Sequence, residues 1–127
     1  MTGSAPFPQK GAELSQDLHA AAVGAMAFSH SPYSKFPVGA AIRDEVGRIH
    51  TGANIENIAF PEGLCAEATA IAHMVMAGGH TIEEIAVIAQ KKALCPPCGG
   101  CRQKISEFAT PRLAAHLRRR LALKTAA

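Results

Sequence analysis

No apolar run in these 127 residues approaches the length that spans a bilayer. The opening Met1-Thr-Gly-Ser carries neither the basic nor the apolar segment of a secretory leader. A cytoplasmic protein is expected. Charge is sparse, at 18% of residues against 48% hydrophobic, which argues against a disordered chain. No repeat, low-complexity stretch or linker divides the sequence. One domain over 1–127 is therefore expected, with 1–10 flexible and 112–127 a basic tail. A chain of this length builds a core without disulfide staples. Cysteine is limited to four, and in a reducing compartment these read as metal ligands or free thiols, not bridges. Acid is absent beyond Pro111: residues 1–111 balance at −2, whereas the last sixteen carry five Lys/Arg and reach +5. The body is thus no basic nucleic-acid binder, and the tail's charge run reads first as a solvated face.

What is present alternates between two periodicities. Leu14, Leu18, Ala21, Ala22, Ala25 and Met26 recur at helical spacing, predicting an amphipathic helix over 12–29. Ser31-Pro32-Tyr33-Ser34 stops it, since proline and its predecessor both resist helix. From Phe36 the period drops to two, with Val38, Ala40 and Ile42 on one face of a strand. Asp44-Glu45-Val46-Gly47 then turns into a second strand reaching about Asn54, a hairpin. Cys65–Ala77 reads as a helix capped by Gly78-Gly79, apolar nearly all round and so expected to be buried. Ile82–Ala89 is a continuous apolar run, expected as a central strand covered on both faces. A third helix follows Cys98, with Cys101, Ile105 and Phe108 on one stripe. The order αββαβα predicts an α/β fold, a three-layer αβα sandwich around a mixed β-sheet.

Two of the helices open on cysteines. Cys65-Ala66-Glu67 and Pro97-Cys98-Gly99-Gly100-Cys101 lie 33 residues apart and together offer three thiols and a carboxylate. Three protein ligands leave the fourth tetrahedral position of Zn²⁺ to solvent, the pattern of a catalytic site. Cys98-x-x-Cys101 alone would equally suit a redox pair or structural zinc. Helix N-termini lower thiol pKa values, so two such ends meeting at a point hold thiolates well. Were Cys65 and Glu67 both inside the helix, about 100° per residue would set them on opposite faces. Cys65 therefore belongs at the first turn, with Glu67 beside the metal; the plainer reading is a buried free thiol and a surface glutamate. Cys95-x-x-Cys98-x-x-Cys101 also opens like an iron–sulfur run, but Ile105 stands where a fourth cysteine is needed. Cys95 reads as a spare thiol.

With these residues in view the chain resembles the cytidine deaminases of the small three-cysteine type. The stretches that carry the resemblance are Ser31–Ala41, Gly52-Ala-Asn-Ile-Glu-Asn57, Cys65-Ala-Glu67 and Pro97-Cys-Gly-Gly-Cys-Arg-Gln103. The resemblance implies one Zn²⁺ per subunit on Cys65, Cys98 and Cys101, and hydrolysis of cytidine or deoxycytidine to the uridines and ammonia. It implies that Glu67 moves the protons and that Asn54 and Glu56 hold ribose hydroxyls. Their i, i+2 spacing on a strand end puts both on one side, although a solvated strand end would look the same. It places Phe36 near the base, where simple core is the alternative, and Ala66 against the substrate. Phe60 occupies the place of an aromatic that reaches a neighbouring subunit, within a homotetramer. His73 is not counted as a ligand.

Two positions depart from the resemblance. Relatives commonly have Arg after Cys-Ala-Glu, where this chain has Ala68; three thiolates on Zn²⁺ leave a net −1 that Arg offsets. Beyond Pro111 relatives continue with a strand and a helix, whereas this tail runs Arg112-Leu-Ala-Ala-His-Leu-Arg-Arg-Arg120 with Leu113, Leu117 and Leu121 near helical period. A deaminase of another aminopyrimidine nucleoside, of the blasticidin type, shares the Ala68 feature. A zinc-stabilised inactive relative with a basic interaction tail is the non-enzymatic alternative. A nucleic-acid base deaminase fits less well, since those usually place His at the first ligand position beside a basic groove.

Overall fold

The two faces of the first strand-forming segment set the architecture. The computed structural model describes residues 16–89 and 99–115. Its elements are α1 (Gln16–Met26), β1 (Val38–Asp44), β2 (Ile49–Ala53), α2 (Ala66–Met76), β3 (Ile82–Ala89) and α3 (Gly99–Phe108), with a 3₁₀ turn at Phe60–Glu62. The order is the expected αββαβα. On β1, Ala40 and Ile42 join a core with Ala66, Ala70, Ile71 and Met74 of α2 and Ile105 of α3. The intervening Ala41 joins Leu18 and Ala22 of α1 instead. Residues i and i+2 on a strand share a face, so the sheet is sandwiched between α1 and the α2/α3 layer.

The three described strands are ordered β2-β1-β3 and pair antiparallel throughout. The parallel part of the expected mixed sheet is limited, among the described residues, to single bridges His30–Ile55 and Ile82–Ala109. Among the described strands the central position belongs to β1. It lies between the other two strands, while β3 has both faces covered and meets the Ala109–Thr110 segment on its outer side. A register shift between Arg43 and Asp44 explains the phase of β3. Ile82 faces the α2 side, yet so do Ile85 and Val87; the extra residue reverses the alternation between them.

Helix α2 corrects a second expectation. Ala66, Glu67, Ala70, Ile71 and Met74 are buried, but Val75 and Met76 are exposed. As an outer layer the helix meets the sheet along one stripe, and its apolar far side faces outward despite its composition. Close seating of both layers rests on two glycines. A Cβ at Gly39 would lie 2.1 Å from the Ala22 carbonyl oxygen of α1, and one at Gly52 2.5 Å from that of Ala66 in α2. Gly52 and Ala40 are register partners, so two minimal side chains form the floor on which α2 rests.

Polar residues tie the layers at the far end. Arg43 donates to Asp17 of α1 and to Glu84 of β3, each at 2.8 Å. On the opposite face, buried Asp44 accepts from the main-chain N–H groups of Val46 and Arg48, from the Arg48 guanidinium and from His50. Burial alone would raise the Asp44 pKa, but these bonds outweigh it and hold the carboxyl at about 2.

The basic tail begins inside the fold. Thr110 caps a helical turn over 111–115, its Oγ1 accepting from Leu113 N–H, and Leu113 is buried in the core shared with α2 and α3. Arg112 is exposed. Residues 1–15 and 116–127, which include Leu14, Leu117, Leu121 and most of the tail's cations, lie outside the described residues.

Candidate active site

Cys65 is the N-cap of α2, with extended backbone angles of φ −76° and ψ 157°. That conformation frees its side chain from the helical phase, and removes the conflict that would separate it from Glu67. The Cys65 carbonyl accepts from Thr69 N–H and Thr69 Oγ1, which anchors the first turn. Glu67 lies in that turn, 4% exposed. Cys101 projects from the start of α3 and is fully buried.

The two helix starts meet. The ligating atoms of Cys65, Glu67 and Cys101 all lie within 4.8 Å of one another. Burial pushes the Glu67 pKa up; its own N–H, a bond with Cys101 and the charge of Lys104 act in the opposite direction. A buried carboxyl held above its usual range, beside two thiols at two helix N-termini, suits soft divalent metal chemistry with a proton carrier at hand. The donor set fits zinc. Cys98, the third thiol expected there, and Cys95 lie outside the described residues.

The residues read as sugar-binding are brought alongside by main-chain pairing. Ile55 N–H donates to Leu64 O at 2.9 Å and Leu64 N–H to Ile55 O at 2.8 Å. Ile55 stands between Asn54 and Glu56, and Leu64 immediately precedes Cys65. The bridge therefore joins the end of β2 to the start of α2. Nothing in the 54–65 sequence announced it, because a single bridge carries no periodic signal.

Asn54 and Glu56 both turn toward the 29–38 segment. Asn54 Oδ1 accepts from Ser29 Oγ and Val38 N–H, while its Nδ2 donates to Phe36 O at 3.1 Å. One Nδ2 hydrogen is not used by these bonds. Glu56 accepts from Tyr33 and Ser34 N–H, both at 3.1 Å, and from Ser34 Oγ. These bonds, led by that from the Ser34 hydroxyl, hold the Glu56 carboxyl below its ordinary range. Phe36 is half-buried and belongs to neither core cluster. The Ala66 side chain is core, so only its main chain is available to a ligand. Phe60 is 88% exposed in the 3₁₀ turn. His73 is exposed, its Nδ1 3.3 Å from Thr51 O and its ring edge-on to His50. It stands apart from the thiol–carboxylate cluster.

Sequence reasoning missed Lys104 and the Ser29–Ser34 hydroxyls. Both act through folded-back contacts, and only the pairing of remote segments reveals them.

Comparison with known proteins places this geometry in context. The family model for the cytidine and deoxycytidylate deaminase zinc-binding region matches residues 12–117. A cytidine deaminase of Sporosarcina psychrophila is 44% identical over 89 residues, covering 70% of this chain and 65% of the relative. One from Halalkalibacterium halodurans is 41% identical over 87 residues, covering 68% and 66%. The chain thus spans just under two thirds of the length of these two curated relatives. The crystal structure of cytidine deaminase from Mycobacterium leprae is similar at a TM-score of 0.73 and 38% identity, over 78% of this chain and 84% of that one.

Proposed function

The chain belongs to the family of the cytidine and deoxycytidylate deaminase zinc-binding region, and from that premise we propose that it hydrolyses the C4 amino group of cytidine and deoxycytidine. The products are the corresponding uridine and ammonia, a step of pyrimidine salvage. The observation that carries this reading is the convergence of Cys65, Glu67 and Cys101 within 4.8 Å at two helix starts. Cys65, Cys98 and Cys101 are the residues that would hold zinc. When bound, the metal acidifies a water so that it serves as nucleophile near neutral pH.

The protein's own side chains then handle the protons and the substrate. Glu67 accepts one proton from the attacking water and delivers it to N3 of the pyrimidine, then takes the second from the hydroxyl added at C4 and gives it to the amine, which departs as ammonia as the C4 carbonyl forms. Its raised pKa suits a group that must both take up and release a proton. Asn54 offers its remaining Nδ2 hydrogen, and Glu56 its carboxylate, to ribose hydroxyls. Phe36 packs beside the base, and the main chain of Ala66 lines the same place. Asn54 and Glu56 favour an ordinary ribose over a modified antibiotic nucleoside.

The assembly belongs to the same proposal. A homo-oligomer, the tetramer of the resemblance, would cover the exposed Ile58, Phe60 and Leu64, a run of large apolar side chains beside the site. No described helix is long and apolar enough to cross a membrane, and thiol ligands are kept reduced in a cytoplasmic setting.

The test is a direct assay. Loss of cytidine's ultraviolet absorbance is followed with wild type and Glu67→Ala, with zinc content measured in both. Turnover in the wild type alone, at equal zinc content, supports the reading. Two zinc-loaded but inert proteins would establish the inactive relative instead.

A further inference from the structure

Ser29 is placed by the end of α1. The chain tightens there, with Phe28 and Ser29 N–H donating three residues back to Ala25 and Met26 O. It then runs beside the end of β2: His30 N–H donates to Asn54 O at 2.9 Å, and Glu56 N–H to His30 O at 2.8 Å. With His30 held on both sides of Ile55, the side chains before and after it fall on one side. Ser29 Oγ lies 3.1 Å from Ser31 Oγ and 2.5 Å from Asn54 Oδ1. An amide oxygen only accepts, so the single Ser29 proton goes to Asn54 and Ser31 donates to Ser29.

The valences of Asn54 give the role. Val38 N–H and Ser29 O–H together fill both lone pairs of Oδ1, and Phe36 O takes one Nδ2 hydrogen. The amide keeps one open function, a donor. Val38 and Phe36 by themselves fix which way the amide faces, but without Ser29 one lone pair would stay open to water or to a ligand hydroxyl. The second bond at oxygen also strengthens the N–H groups of the same amide, because linked hydrogen bonds polarise one another. We propose that Ser29 is a positioning residue for the substrate: its hydroxyl closes Asn54 Oδ1, so that the amide meets a ribose hydroxyl only as a donor. Ser29 acts through Asn54 and is not itself a ribose contact. It lies outside the stretches that carry the family resemblance, and its role rests on the ribose contact proposed for Asn54.

The test uses the reaction product with and without its ribose hydroxyls. Uridine and 2′,3′-dideoxyuridine are each titrated as competitive inhibitors of cytidine turnover by wild type and S29A. Alanine removes only the hydroxyl of a half-buried side chain, so S29A should melt near wild type. Its inhibition constant for uridine should rise about fivefold, the scale of one neutral hydrogen bond. That for dideoxyuridine should stay within about twofold of wild type, since the two sites no longer share a partner. A purely structural serine would weaken both ligands alike. Equal weakening of the two, or unchanged uridine binding, would overturn the role of Ser29 and leave the proposed function standing. Uridine bound no tighter than dideoxyuridine by wild type would remove the ribose contact, and the role of Ser29 with it. A wild type inert toward cytidine would overturn the proposed function itself.

Discussion

Gly52 lies directly beneath Ala66: a Cβ on the glycine would meet the Ala66 carbonyl oxygen at 2.5 Å and the Ala70 nitrogen at 2.4 Å. Both obstacles are main-chain atoms of α2, whose N-cap is Cys65, so a side chain can be accommodated only by lifting that helix. Replacing Gly52 by valine should destabilise the protein by about 3 kcal/mol, the upper part of the range for overpacking. It should also loosen zinc, because the first turn of α2 moves with the helix. Urea denaturation and metal analysis check both; an unchanged midpoint would show that α2 yields freely.

Cys101 is fully buried and one of the three groups that converge. Alanine there removes a ligand but little volume. Cys101→Ala should lose zinc and all measurable turnover while keeping the far-ultraviolet circular dichroism of wild type. Chelation of wild type should have the same effect on activity, reversed by added zinc. A variant that retains one equivalent of zinc contradicts the assigned ligand set.

Asp44 makes stability depend on acid. Its pKa is depressed to about 2 from an ordinary 3.8, so its contribution is present above the ordinary value and lost as pH falls through the depressed one. The protein should lose about 2 kcal/mol between pH 5 and pH 2 through this group. Asp44→Asn should be weaker than wild type at pH 6, with the difference closing toward pH 2. Parallel stability curves for the two proteins would refute this assignment.

Glu56 is tied to Tyr33 and Ser34 in this structure. If it also accepts from ribose, Glu56→Gln should raise KM for cytidine by about tenfold or more, the scale of a lost charged hydrogen bond. Activity toward free cytosine should change far less. Equal losses on both substrates would mean that the residue only shapes the 31–36 turn.

Ala68 follows Glu67 and leaves no cation on that turn of α2. The hypothesis is that this keeps turnover lower, or the pH optimum higher, than an arginine there would. Ala68→Arg should move the acid limb of the pH–rate profile to lower pH or raise its plateau. Superimposable profiles dismiss the idea.

The elements were legible because each has a simple period. The 3.6-residue rows of α1 and α3 and the two-residue alternation of β1 survive in the folded protein almost unchanged. The burial of α2 was misjudged because composition reports apolarity, whereas exposure depends on whether another layer exists to cover it; Val75 and Met76 have none among the described residues. Among the described strands it is β1, not β3, that lies between two others. Strand order is a property of pairing, and nothing in Ile82–Ala89 records which neighbour it meets. Leu113 was assigned to a tail, yet it is core, since a charge run hides an apolar residue that packs inward.

The candidate site divides in the same way. Cys65, Glu67 and Cys101 could be named from residue chemistry and spacing, because few arrangements other than a metal centre use thiols beside a glutamate in two helix-opening clusters. Their convergence within 4.8 Å and the Ile55–Leu64 bridge could not. Local sequence determines periodicity, caps and donor types through short-range sterics and hydrogen bonding. Which remote donors share a point is decided by layer packing, where Gly52 lets α2 sit close on the sheet and α2 and α3, packed in one layer, bring their first turns together.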